Sequence, residues 1–77
     1  MQKKDVLNHI GNRIKELRKQ KKLTQRDLAF ACNKDPQSIE RVENGKSNPT
    51  IFYLYELSKA LEILLKDLFD FEIGKTN

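Results

Sequence analysis

The chain has 77 residues, 38% hydrophobic and 34% charged, with 15 Lys and Arg against 11 Asp and Glu and a formal charge of +4. A chain of this length supports one small domain with a modest core, and its composition is that of a globular protein, not a disordered or membrane one. No apolar run approaches the roughly 18 residues of a membrane span, no secretory signal opens the chain, a single cysteine excludes an intrachain disulfide, and one histidine without a Cys/His cluster leaves no metal site. An intracellular, cytoplasmic protein is the default expectation. Residues 1–49 carry 12 basic and 6 acidic side chains, whereas residues 50–77 carry 3 and 5. A basic front suits nucleic acid; a solvated, lysine-rich helix face is the plainer reading of the same charges.

In chain order, Val6, Ile10, Ile14 and Leu17 form one apolar stripe of a first helix, with Arg13, Lys15, Arg18, Lys19, Lys21 and Lys22 largely off it. Thr24 reads as an N-cap, and Asp27, three residues on, closes a variant capping box. Leu28, Ala29 and Cys32 share a face of the short second helix, which Asn33 stops. Asp35 caps a third helix with Pro36 at its first position, Ile39 and Val42 as its buried stripe, and Asn44-Gly45 at its end. Thr50 caps a fourth, with Ile51, Leu54, Leu57 and Leu61 along its stripe. A short fifth helix holds Leu65, Leu68 and Phe69. The tail, residues 70–77, has weak signals; Phe71 and Ile73 alternate as in a short extended segment.

Two short helices joined by a tight turn between Thr24 and Asn44 have the spacing of a helix-turn-helix unit. Gln37, Arg41 and Asn44 share a polar face of its second helix, and Gln and Arg make bidentate contacts with adenine and guanine edges.

Residues 10–29, IGNRIKELRKQKKLTQRDLA, and residues 37–50, QSIERVENGKSNPT, resemble the phage repressor and Cro type of helix-turn-helix protein, the Xre family. The resemblance runs without a gap from about Ile10 to Phe69. It implies an all-α, five-helix, lambda repressor-like fold in one domain, with a core of about residues 6–69 and helices 2 and 3 forming the helix-turn-helix. It further implies sequence-specific binding of double-stranded DNA and regulation of transcription, repressor-like in direction. Carried over by position, Gln37, Ser38 and Arg41 face base edges. Gln25, Asn44 and Lys46 meet phosphate. Arg18 and Glu43 form a structural ion pair. The chain departs from the family pattern at Asn33 for the usual Gly, Lys34 for a buried Val, Pro36 for a base-reading side chain in some relatives, Glu62 for Gly, and Leu64 for a capping Ser or Thr. Lys34 then loses an apolar anchor and gains a phosphate contact.

Phe30, Phe52, Tyr53 and Tyr55 cannot all face the core of so small a bundle. Together with Leu64, Phe71 and Ile73 they point to a homodimer through the last helix or tail, on an inverted-repeat operator; the alternative is packing of the tail on its own domain. His9 reads as a surface residue at a frayed end. Cys32 reads as a small core residue. No cofactor, small-molecule ligand, membrane contact or catalytic activity is implied, because no nucleophile–base pair, Gly-rich phosphate loop or metal-ligand spacing occurs. An antitoxin whose binding to a toxin matters more than DNA, and the controller protein of a restriction–modification operon, stay open beside the repressor reading.

Overall fold

The starts of the helices are closed by the side chains the sequence supplies for them. In the computed structural model, which describes residues 2–71, α1 spans Lys3–Gln20, α2 Gln25–Ala31, α3 Pro36–Glu43 and α4 Ile51–Leu61. The Thr24 hydroxyl accepts from the Asp27 N–H and the Asp27 carboxylate accepts from the Thr24 N–H, both at 2.9 Å. These two hydrogen bonds, the backbone one first, hold the Asp27 carboxyl below its ordinary pKa. Asp35 accepts from the Gln37 N–H at 2.9 Å with Pro36 in the first turn, and Thr50 accepts from the Tyr53 N–H at 3.0 Å. At α1 the Asp5 carboxylate accepts from the Gln2 N–H at 3.1 Å. That acidic first turn starts the helix at Lys3, ahead of the apolar stripe that begins at Val6.

All four helices end in the same way. Lys22, Asn33, Gly45 and Glu62 take left-handed backbone, with φ of 60°, 56°, 70° and 59°. The next N–H in each case bonds back to a carbonyl five residues earlier: Leu23 to Arg18, Lys34 to Ala29, Lys46 to Arg41 and Ile63 to Ser58. This is the Schellman arrangement, and it satisfies carbonyls that the helix leaves open. Gly45 suits it without strain. The left-handed turn at Glu62 forms without the family's usual glycine.

The core gathers Ile10, Ile14 and Leu17 of α1, Leu28 and Ala29 of α2, Ile39 and Val42 of α3, and Leu54, Leu57 and Leu61 of α4, with Leu68 beyond them. Ile51 is 64% exposed. It belongs to the first turn of α4 but not to its buried stripe, because that stripe begins one turn further in, at Leu54. The chain is all-α, with no strand among the described residues. The predicted fifth helix is instead a 3₁₀ turn over Leu65–Phe69. Five residues give little room for i to i+4 bonding, and Leu64 has no capping side chain. The Asp67 carboxylate supplies the cap by accepting from the Leu64 N–H at 3.0 Å.

Two close approaches fix the frame. A Cβ on Gly11 would meet the Val42 carbonyl and lie 2.5 Å from the Glu43 carbonyl oxygen, so α1 and α3 touch backbone to backbone there. Arg13 donates from Nε to the Asp67 carbonyl at 2.8 Å and holds the 3₁₀ turn against α1. His9 is not a frayed surface residue: its ring stacks on Phe71 at 5.2 Å and 6°. The start of the tail thus packs on its own chain at Phe71. Ile73 and the rest of the expected extended segment lie outside the described residues.

Candidate nucleic-acid interface

Helix α3 is amphipathic over only eight residues, so its orientation depends on what it packs against. It seats mainly on α1 and α2, with Ile39 fully buried and Val42 nearly so. At its C-terminal end, Glu43 is a buried hub. Arg18 donates to it from Nε at 2.6 Å and from a terminal nitrogen at 3.0 Å, and the other terminal nitrogen donates to the Leu23 carbonyl at 2.7 Å. The expected Arg18–Glu43 pair is therefore present and bidentate. A bidentate guanidinium–carboxylate pair is the geometry that justifies burying two charges. Glu43 also accepts from Gln25 Nε2 at 3.0 Å, so one carboxylate joins α1, the start of α2 and the end of α3.

That buried side leaves a polar side facing outward. Gln37, Arg41 and Asn44 are exposed. The Arg41 guanidinium rests on the Lys46 carbonyl at 3.1 Å. Asn44 donates to Glu40 at 2.5 Å, and the Lys46 ammonium lies 3.5 Å from the same carboxylate. Gln25 sits beside this face at the start of α2, half-buried, with its side-chain amide nitrogen committed to Glu43. Its backbone N–H belongs to a first helical turn, where such groups lack intrahelical acceptors.

Two of the sequence-predicted residues sit elsewhere. The Ser38 hydroxyl is 2.6 Å from the Tyr53 hydroxyl on α4 and is half-buried. The Lys34 ammonium pairs with Glu56 of α4 at 2.6 Å and lies 4.7 Å from the centre of the Tyr53 ring. The hydrogen bond to Glu56 raises the Lys34 pKa above its ordinary value. Lys34 thus replaces the family's apolar anchor with an ionic one.

Glu40, Tyr53, Glu56 and Arg13 all take part in this framework, and the sequence assigns none of them these contacts; Tyr53, expected among the aromatics left for a dimer, instead bonds Ser38. Glu40 carries a local signal, since Asn44 follows it by one helical turn. Tyr53 and Ser38 are 15 residues apart, and nothing short-range links them.

The exposed face displays amide and guanidinium donors that match adenine and guanine edges, together with a Glu40 carboxylate that can accept from a cytosine amine. No cluster of His, Cys, Asp and Glu able to hold a metal occurs among the described residues. No described helix is long and apolar enough to cross a membrane. Cys32 lines a shallow hollow between the end of α2 and α4. Its thiol donates to the Leu28 carbonyl at 3.1 Å, and burial raises its pKa, which disfavours the reactive thiolate.

The HTH_3 family, described as helix-turn-helix, matches residues 14–68. The control protein C.MunI of Mycoplasma sp is 36% identical over 66 residues, 84% of this chain and 89% of that protein. An HTH-type transcriptional regulator of Sinorhizobium fredii, y4dJ, is 34% identical over 77% of each chain. Among solved structures, the restriction-modification controller protein C.AhdI from Aeromonas hydrophila superposes with a TM-score of 0.81 at 36% identity, over 82% of this chain and 96% of that one. With its two short helices set at the spacing the sequence implies and joined through Gln25 and Glu43, and with the family match covering residues 14–68, the chain belongs to the HTH_3, Xre-type family of helix-turn-helix proteins.

Proposed function

We propose that this DNA-binding transcriptional regulator inserts α3 into the major groove of an operator and reads it through Gln37 and Arg41. The observation that carries this reading is the two-sidedness of α3. One side is fixed by Ile39, Val42 and the Arg18–Glu43 pair, and the other presents Gln37, Arg41 and Asn44. Backbone-gripping groups flank the readers: the Gln25 N–H on one side, and Asn44 and Lys46 on the other. Phosphate contacts of this kind set register, while base edges supply sequence information. Ser38 and Lys34 are held by α4, so base reading concentrates on Gln37 and Arg41.

The regulator acts as a homodimer on two half-sites about one helical turn apart. What supports a dimer is the apolar surface α4 leaves at solvent. Ile51 is 64% exposed, Phe52 66% and Tyr55 44%, and the Phe52 and Tyr55 rings lie 6.0 Å apart. This shifts the expected interface from the tail toward α4. A restriction–modification controller is the finer role favoured, because the match spans nearly all of C.AhdI. Genes for an endonuclease and a methyltransferase beside this one would support that role.

The test is selection from a randomised duplex pool at near-physiological salt, with the bound fraction sequenced. Enrichment of an inverted repeat is the expected result, and its half-site spacing reports the dimer geometry. Salt-sensitive binding to every duplex alike, with nothing enriched, would overturn the reading.

A further inference from the structure

The start of α3 is held from α4 by a side-chain bridge that its own sequence gives no reason to expect. Ser38 lies in the first turn of α3, the helix proposed to enter the groove. Its hydroxyl and that of Tyr53 are 2.6 Å apart, at the short end of the range for O–H···O bonds. On the other side of the Asp35 cap, Lys34 pairs with Glu56, one turn along α4 from Tyr53, and its ammonium lies near the face of the Tyr53 ring. Two residues of α4 therefore grip α3 just before and just after its first residue.

The far end of the same helix is fixed independently, by Arg18 on Glu43. A rod held at both ends has a defined tilt. Loss of the Ser38–Tyr53 bond leaves that end tied to α4 only through the Lys34–Glu56 pair, which lies ahead of the helix, and α3 can then pivot about Ile39, Val42 and Glu43. We infer that the Ser38–Tyr53 hydroxyl bond is a positioning device that sets the tilt of α3 in the groove, so that Tyr53, remote from the base-reading face, determines sequence specificity.

The inference rests on the operator reading above. It reassigns Ser38 from a base reader to a strut and recruits a residue of α4 to recognition. A misplaced helix costs specificity because bidentate contacts from Gln37 and Arg41 require both donors to meet one base edge. Phosphate contacts through flexible side chains tolerate the same pivot.

Tyr53→Phe and Ser38→Ala remove one bond from its two ends while keeping the ring and the helix. The experiment measures, for the wild type, each variant and the double variant, the affinity ratio between the selected operator and a scrambled duplex, with thermal unfolding alongside. Each single variant is expected to lower that ratio about fivefold, the double no further, and Ser38→Thr to restore it. Three results would overturn the inference. The ratio could be unchanged in Tyr53→Phe while Ser38→Ala alters preference at one base pair, which makes Ser38 a reader. The two losses could add, which makes the residues independent. Affinity for both duplexes could fall equally, which reduces the bond to general stability. A wild-type chain that selects no sequence overturns the operator reading itself, before any variant is compared.

Discussion

At the scale of single residues, the proposed interface separates into groups expected to read and groups that hold. Arg41 is exposed, and among the described residues a 3.1 Å hydrogen bond to the Lys46 carbonyl restrains it. Arg41→Ala is expected to cost about 1–3 kcal/mol of operator binding and to relax preference at one or two base pairs. Lys46→Ala is expected to weaken every duplex alike and lower the salt slope by about one; binding isotherms at several salt concentrations on selected and scrambled duplexes separate the two effects. Tyr53 and Lys34 give a pH signature. Burial raises the Tyr53 pKa from its ordinary value of 10.0, against the pull of the Ser38 hydrogen bond, and Glu56 raises that of Lys34 from 10.5. In both cases the folded state holds the proton more tightly than the unfolded chain does. Their stabilisation is therefore complete below pH 10 and drains away as the pH climbs through the raised values. Melting temperature is expected to fall across that alkaline range, and less steeply in Tyr53→Phe. The residues that the sequence exposes most readily are those with partners close in the chain or a family position: Thr24 with Asp27, Asp35 with Pro36, Arg18 with Glu43. Ser38 and Lys34 sit differently from their family roles because their partners come from α4, and a contact across 15 or more residues leaves no periodic trace.

At the scale of elements, helix boundaries were legible because they are written in capping side chains, whereas helix type at the C-terminus was not. Nothing in residues 64–69 announces a 3₁₀ turn, since Leu65, Leu68 and Phe69 fit either geometry, and the Asp67 bond to the Leu64 N–H caps the turn without choosing its type. Helix ends offer a second test. Glu62 sits at φ 59°, where a Cβ is strained. Glu62→Gly removes that strain and is expected to stabilise the fold by about 1 kcal/mol, raising the melting temperature by roughly 4–8 °C. Gly11 is the opposite case. A methyl there would press on the Val42 and Glu43 carbonyls, and backbone on both sides leaves it nowhere to go. Gly11→Ala is expected to destabilise by about 1–3 kcal/mol, read as a lower midpoint in urea.

At the scale of the whole molecule, the three helices that make up the recognition unit meet at one buried charge. Arg18→Ala leaves Glu43 unpaired in the interior, a loss of about 3–5 kcal/mol, which is much of the stability a small domain has. Circular dichroism melts are expected to show a chain partly unfolded at 37 °C. The double change Arg18→Met with Glu43→Leu is expected to recover most of that stability, yet to leave Gln25 without its acceptor and operator binding weakened. Such a split between folding and binding would mark the pair as an alignment device. Because Glu43 accepts from both Arg18 and Gln25, the start of α2 and the end of α3 are tied together, and the groups proposed to grip phosphate at those two ends are spaced as the jaws of a locked caliper. A caliper that does not open makes the duplex carry the adjustment. Steps that bend or narrow readily will then bind better at base pairs no side chain reaches, and the operator will carry a preference in its untouched spacer as well as in its half-sites.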